Sequence, residues 1–77
     1  MPDKKPVPGE TVVLTKIPPG LLDDLPIEDR NAISEVVGKP IALNEYDEDG
    51  RAELEFRDSD GIKHFVWVNP RFIRSAG

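Results

Sequence analysis

The feature that most constrains this chain is a tract that occurs twice, eleven residues apart. Its copies read "YDEDGRAELEF" (46–56) and "RDSDGIKHFVW" (57–67), and each places Asp-Gly between segments of alternating apolar and polar residues. Asp-Gly in this setting is a strong local signal for a β-hairpin, because glycine accepts the positive φ that tight hairpin turns need. The repeat therefore predicts three consecutive antiparallel strands, at 40–46, 51–57 and 62–68.

One strand is expected before these hairpins and another after them. The alternation in "ETVVLTK" (10–16) predicts a first strand, which the prolines of "IPPG" (17–20) end. Towards the C-terminus, "NPRFIRS" (69–75) predicts a tight turn and then a short strand led by Phe72 and Ile73. Five short strands favour a small, strongly bent antiparallel barrel of the all-β class.

A short helix is expected in the segment that follows the first strand. Asp24 can cap this helix, Pro26 fits its first turn, and Gly38 stands where a helix would end. These signals predict a helix near 27–36. Its apolar stripe is thin, so the helix must pack on the sheet to be stable.

Length and composition restrict the class of protein. We expect residues 1–9 to be a disordered lead-in and residues 10–75 to form a single domain. The absence of cysteine excludes disulfides, thiolate metal sites and a cysteine nucleophile. No leader and no apolar run of membrane-spanning length is present, so we expect a cytoplasmic monomer without a membrane partner.

The charge of the chain is acidic and unevenly distributed. The net charge is −5, and residues 45–60 carry eight acids against two arginines. Nucleic-acid affinity comes mainly from clustered lysine and arginine, so this balance argues against nucleic acid as a partner. An acidic face could instead attract a basic protein, although such faces are more often simply solvated.

The order of the predicted elements resembles that of the SH3-like barrel, with a long variable loop after the first strand and a helical turn before the last. The closing "VNPRFI" (68–73) looks like the SH3 ending that runs from strand through turn to strand. The resemblance implies that Val68 and Ile73 are core residues, and it places Phe72 where the family has its ligand-groove tyrosine. The chain lacks the opening "ALYDY" and the paired tryptophans, and it looks closer to small bacterial SH3-like domains of uncharacterised role than to the eukaryotic signalling modules. The resemblance therefore implies the fold rather than proline-rich peptide binding.

The turn of the second hairpin decides which face of strand 62–68 is the core. A two-residue Asp-Gly loop would make Phe65 and Trp67 core residues. A type I turn over 58–61 would instead make Val66 and Val68 core, because a shift of one residue exchanges the two faces. Aspartate at the first turn position and glycine at the fourth favour the type I turn. We therefore predict that Phe65 and Trp67 face outward.

This outward aromatic pair has two interpretations. In the one that we favour, the segment 17–38 folds across the pair, since its leucines need a surface on which to be buried. The residues expected to cover Trp67 are Leu21, Leu22, Leu25 and Ile33. In the other interpretation, part of the pair stays open as a contact site for a protein partner, where large aromatic side chains are enriched.

The candidate binding surface combines aromatic side chains with a charged rim. Its predicted residues are Phe65, Trp67, Phe72, Glu53, Glu55 and Arg71. The aromatic side chains would supply buried area, and the acids would steer a basic protein partner. We expect a non-catalytic protein-interaction or accessory module. The alternatives are a nucleic-acid-binding barrel that uses Lys63, Arg71 and Arg74, and a small subunit of a larger enzyme complex.

The sequence does not match the catalytic and metal-binding motifs tested against it. An EF-hand loop needs an acid at its twelfth position, and placing Gly50 or Gly61 at the sixth position puts Phe56 or Trp67 there. His64 is the single histidine, and no nucleophile elbow or second histidine accompanies it. We therefore interpret His64 as a structural or surface residue, and expect no enzyme activity, no cofactor and no metal.

Overall fold

The computed structural model describes residues 5–76, which form five strands, one α-helix and one 3-10 turn. In chain order the elements are β1 (Thr11–Leu14), α1 (Ile27–Val36), β2 (Pro40–Tyr46), β3 (Ala52–Arg57), β4 (Lys63–Val68), the 3-10 turn (Pro70–Phe72) and β5 (Ile73–Ser75). The helix and the three hairpin strands lie within one residue of their predicted bounds.

The strands form one antiparallel sheet with the order β4-β3-β2-β1-β5. The predicted all-β class and the five antiparallel strands are confirmed, and the arrangement is compatible with a small barrel. Within residues 5–76, however, β4 and β5 form no ladder with each other. The sheet is therefore not closed, but it is strongly bent, as expected for a small barrel.

The open sheet is nevertheless strongly curled. β4 and β5 lie at opposite edges of the sheet, but only residues 69–72 connect them, and three of these form the 3-10 turn. In a flat sheet the two edge strands would be about 19 Å apart, at about 4.8 Å per strand. A 3-10 turn rises only about 2 Å per residue, so the connection requires the two edges to bend towards each other.

The concave side of this curled sheet holds the core. Every second residue of β3 and β4 points into it, and α1 closes it with Ala32, Ile33 and Val36. Val68 and Ile73 are among the buried residues, as the SH3-like resemblance implied. The buried core residues are Val12, Leu14, Ala32, Ile33, Val36, Ile41, Leu43, Ala52, Leu54, Phe56, Val66, Val68, Phe72 and Ile73.

The two Asp-Gly turns set the register of the hairpins. We call residues 47–50 the first turn and residues 58–61 the second turn. In the second turn, Asp58 N–H donates to the Ile62 carbonyl (3.0 Å), and Gly61 N–H donates to the Asp58 carbonyl (2.9 Å). Gly61 has a φ of +80°, as a glycine bulge after a type I turn requires. Val66 consequently lies opposite Leu54, and the predicted register is confirmed.

Helix α1 ends as predicted but does not begin as predicted. Gly38 follows the helix with a φ of +84°, and its N–H donates to the Leu14 carbonyl (3.0 Å). At the other end the cap residue is Pro26, which has no side chain that can accept a hydrogen bond, so the prediction that Asp24 caps the helix is wrong. The acids Glu28 and Asp29 occupy the first turn, where they complement the helix dipole.

The segment between β1 and α1 packs on the core side of the sheet rather than across Trp67. Leu21, Leu22 and Leu25 pack against the core cluster, and Ile33 belongs to it. Because neighbouring strand residues point to opposite faces, Trp67 lies on the other side of β4 from this cluster. The prediction that these four residues cover Trp67 is therefore wrong, and the three leucines are half-buried against the core cluster instead.

Residues 5–10 lie along the first hairpin. Gly9 N–H donates to the Leu43 carbonyl (2.9 Å), Tyr46 Oη donates to the Pro6 carbonyl, and the Lys5 ammonium lies 4.0 Å from the centre of the Tyr46 ring. These contacts place the second half of the expected lead-in against β2. Residues 1–4 of that lead-in lie outside the described residues.

Candidate functional site

The candidate interaction surface lies on the convex face of the β3–β4 hairpin, and we call it the outer patch. It consists of Glu53, Glu55, Phe65 and Trp67. The register places Phe65 opposite Glu55 and Trp67 opposite Glu53, as predicted. Phe65 is 55% exposed, and the other three side chains are half-buried. The structure thus brings four of the six predicted surface residues together on one face.

The other two predicted surface residues, Phe72 and Arg71, do not join the outer patch. Phe72 is only 7% exposed and packs in the core cluster, so it offers little area to a partner. The Arg71 guanidinium lies over its ring, 4.9 Å from the ring centre. The likeness to the SH3 ending identified the strand–turn–strand path correctly, but this path turns the aromatic side chain inward.

Hydrogen bonds hold the two glutamates of the outer patch in place. Asn44 Nδ2 donates to Glu55 Oε1 (2.9 Å) and to Glu53 Oε1 (3.3 Å), and Lys63 Nζ lies 3.5 Å from Glu55 Oε2. These contacts, chiefly the hydrogen bond from Asn44, hold the pKa of Glu55 below its ordinary value. The patch therefore keeps negative charge beside its aromatic side chains at neutral pH.

Two of the three basic residues of the nucleic-acid alternative already have partners within the protein. Lys63 lies on β4 and pairs with Glu55, and Arg74 lies on β5. Arg71 covers Phe72. Non-specific phosphate binding depends on several unpaired cations on one surface, so the contacts of Lys63 and Arg71 argue against this alternative.

His64 forms the second constellation of interest, on the core side of β4. Its Nδ1 lies 2.7 Å from Asp29 Oδ1 on α1, and its Nε2 lies 2.8 Å from Asp58 Oδ2 in the second turn. The ring stacks on Phe56 with a centroid distance of 5.6 Å and an interplanar angle of 15°. The side chain is 9% exposed. His64 thereby joins the helix, the sheet and the second turn, and we call this arrangement the histidine clamp.

The electrostatics of the histidine clamp favour the charged imidazolium. Two carboxylates face the two ring nitrogens, so both N–H groups of the protonated ring have acceptors. The hydrogen bond to Asp58 is the largest cause that raises the pKa of His64, and Asp29 adds to it against the cost of burial. The same hydrogen bond lowers the pKa of Asp58. A ring occupied on both sides has no free nitrogen with which to move a proton for a substrate.

Further acids line the open groove of about 450 Å³ beside the histidine clamp. These are Glu28, Glu35 and Asp60. Within residues 5–76, no three histidine or acidic side chains are arranged to hold a metal ion. The turn carboxylates are themselves occupied, since Asp58 Oδ1 accepts the N–H groups of Asp60 and Ile62 (both 2.9 Å).

The sequence identified His64 as a structural or surface residue but not its partners. Asp58 lies six residues before His64, and its capping role in the turn was visible from the Asp-x-x-Gly pattern. Asp29 lies 35 residues away on α1, and its contact depends on where the helix packs. An acid in the first helical turn was the one available signal, and it was equally explained by the helix dipole.

In the part of the chain that the structure describes, α1 has ten residues, and no helix has the length and apolarity needed to span a membrane. Comparison with family models, with curated protein sequences and with solved structures finds no match to this chain. Its function is therefore inferred from the geometry of the chain itself.

Proposed function

We propose that this protein is a non-catalytic interaction module of the SH3-like small-barrel type, which binds a basic protein partner through the outer patch. The observation that supports this most strongly is the 55% exposure of Phe65 beside half-buried Trp67. The chain has leucines and a helix that could have covered this pair, but both pack against the core cluster on the opposite face of the sheet. Adjacent aromatic side chains left open on a rigid sheet are typical of interaction surfaces.

The charge around the outer patch supports a basic partner. Glu53 and Glu55 are held beside the aromatic rings by Asn44, so they need not be ordered on binding. An arginine of the partner can stack on an exposed aromatic ring while its guanidinium reaches these carboxylates. The net charge of −5 would add long-range attraction and increase the association rate.

Two matched variants test the role of the outer patch. Phe65 and Ile62 are similarly exposed, at 55% and 58%, but alternation of side chains directs Ile62 away from the patch. Each protein is immobilised and incubated with an extract of the cells that produce it. A specific partner should be retained by the wild type and by Ile62→Ala. Phe65→Ala should weaken that retention by about tenfold, as expected for an aromatic hot spot.

Three outcomes would contradict the proposal. Equal loss of the partner with both variants would point to general stickiness, and equal retention would place the binding site elsewhere. A salt-sensitive gel shift with duplex or single-stranded oligonucleotide would favour the nucleic-acid alternative. In that case the triple variant Lys63→Ala, Arg71→Ala, Arg74→Ala should abolish the shift, whereas Phe65→Ala should retain it.

A further inference from the structure

β4 is an edge strand whose backbone is hydrogen-bonded on one side. It is the terminal strand of the sheet order and pairs with β3 alone in residues 5–76. An exposed edge presents a row of backbone N–H and C=O groups that can accept another strand. The hydrogen bonds of the second turn determine which residues of β4 carry these open groups.

Hydrogen-bonded and non-hydrogen-bonded pairs alternate along an antiparallel ladder. Asp58 and Ile62 form a hydrogen-bonded pair at the second turn, since Asp58 N–H donates to the Ile62 carbonyl. The register places His64 opposite Phe56 and Val66 opposite Leu54, two and four residues beyond this pair. Both are therefore hydrogen-bonded pairs as well. The alternate residues of β4 are in non-hydrogen-bonded pairs. They direct their N–H and C=O groups away from β3, towards the open edge.

The open backbone groups therefore belong to Lys63, Phe65 and Trp67. No hydrogen bond among the described residues outside the β3–β4 ladder reaches their N–H or C=O groups. Phe65 and Trp67 also carry the exposed aromatic side chains of the outer patch. Unpaired backbone and exposed aromatic surface thus coincide on the same two residues.

We propose that the β4 edge is a strand-addition site, at which an extended basic segment of a partner protein pairs antiparallel with Lys63–Val68. This rests on the proposed function, because it assigns a binding mode to the outer patch. Residues of the added strand directly opposite Phe65 and Trp67 would exchange backbone hydrogen bonds with them. Their side chains would lie on the same face as the aromatic rings, two residues apart along the added strand.

The charge of the chain argues for a basic segment rather than for a second copy. Two copies would each carry a net charge of −5, and their repulsion opposes pairing edge to edge. Arginines at alternate positions would instead stack on Phe65 and Trp67 and reach Glu53 and Glu55 across the face. Lys63 is already paired with Glu55 (3.5 Å), which reduces its repulsion of an incoming cation.

Amide hydrogen exchange of the free protein, followed by NMR, tests the open edge first. The amides of Phe65 and Trp67 should exchange at least about tenfold faster than those of His64 and Val66, because only the latter are bonded to β3. This alternation is a signature of the edge and does not follow from flexibility of β4 as a whole. Equal protection of all four amides would overturn the inference.

A capped peptide of alternating arginine and threonine serves as the probe of strand addition. Its binding should slow exchange at Phe65 and Trp67 by about tenfold and leave His64 and Val66 nearly unchanged. The same peptide with N-methylated arginines should fail to bind, since those amides face β4 when the arginine side chains lie on the outer patch. The peptide with N-methylated threonines should bind as the parent does.

The remaining outcomes separate the binding mode from the proposed function. If the probe shifts the aromatic resonances but the Phe65 and Trp67 amides still exchange quickly, the outer patch binds without strand addition, and only this inference falls. Protection that appears with protein concentration alone would mean that a second copy takes the edge, which overturns the basic occupant. Failure of the probe to bind at millimolar concentration would also overturn the proposal of strand addition. The partner experiment with Phe65→Ala would still decide the proposed function.

Discussion

The two Asp-Gly turns have the same backbone hydrogen bonds, but the first aspartate of each turn pairs with a different side chain. In each turn, the first aspartate accepts the N–H groups two and four residues ahead with Oδ1: Asp47 from Asp49 and Arg51, and Asp58 from Asp60 and Ile62. The second carboxylate oxygens of the two aspartates have different partners. Asp47 Oδ2 pairs with the Arg51 side chain in its own hairpin (2.9 Å), whereas Asp58 Oδ2 pairs with His64 in the histidine clamp (2.8 Å).

This difference separates a local turn from one that is coupled to the rest of the fold. The pairing of Asp47 with Arg51 closes a hairpin and touches no other element. The histidine clamp also contacts Asp29, so the second turn is connected to α1. It also introduces a proton equilibrium, because histidine titrates near neutral pH and arginine does not. The first turn therefore serves as an internal control for the second.

The largest expected effect is the removal of the aspartate from each turn. Both Asp47→Ala and Asp58→Ala delete the acceptor for two backbone N–H groups, but Asp58→Ala also leaves His64 with one partner at a site where the ring is 9% exposed. We expect Asp58→Ala to lower the melting temperature about twice as far as Asp47→Ala, since unpaired buried polar groups are costly. Calorimetry of both variants measures this.

Asparagine at the same positions controls for the turn itself. Asp47→Asn and Asp58→Asn keep an oxygen for the backbone N–H groups, and asparagine is well tolerated in such turns. The difference between the two asparagine variants therefore compares the ion pair of Asp58 with His64 and the ion pair of Asp47 with Arg51. If Asp58→Ala and Asp47→Ala destabilise equally, the Asp58–His64 contact contributes no more stability than the Asp47–Arg51 pair does.

An intermediate effect is expected from the turn glycines, and here the two turns should behave alike. Gly50 and Gly61 have φ values of +83° and +80°, and a Cβ built at either position meets nothing within 4 Å. Alanine at each should therefore cost only the left-handed conformation, about 1–2 kcal/mol, as measured by chemical denaturation. Gly61→Asn should cost less, because asparagine visits this region more readily. A much larger cost at Gly61 than at Gly50 would show that the second turn is strained.

The pH dependence of stability should differ between the turns. Because the folded pKa of His64 is raised above its unfolded value of about 6.5, the stability that it contributes is complete below that pH. It is lost as the pH rises through the folded pKa, although the neutral ring can still donate one hydrogen bond. In His64→Gln this basic limb should disappear. Denaturation of both proteins between pH 5.5 and about 9 measures the difference.

An acidic limb should be common to both turns. Burial alone would raise the pKa of Asp47, but hydrogen bonds from the backbone and side chain of Arg51 outweigh it and lower the pKa. The pKa of Asp58 is lowered chiefly by its hydrogen bond from His64. Both contributions are present above the unfolded value of about 3.9 and are lost as the pH falls through the folded pKa values. A wild-type profile without a basic limb would mean that folding does not raise the pKa of His64.

The same contrast explains how much could be predicted from the sequence. The hairpins, their register and the outward direction of Phe65 and Trp67 follow from local turn chemistry, which a span of four residues specifies. The contact between Asp29 and His64 and the burial of Phe72 depend on how distant elements pack, and no periodicity encodes this. The leucines of residues 21–25 show the same limit: their need for burial was evident, but either face of β4 would have satisfied it.

The smallest expected effect comes from the third member of the histidine clamp. The Asp29 side chain is 37% exposed, so Asp29→Asn should cost less than about 1 kcal/mol, as exposed ion pairs usually do. It should nevertheless move the NMR titration midpoint of the His64 ring towards its ordinary value, because Asp29 is one of the two groups that raise the pKa of His64. Asp58→Asn should move that midpoint further. If the two variants shift it in the reverse order, helix α1 rather than the second turn sets the charge of the ring, and the turn comparison loses its physical basis.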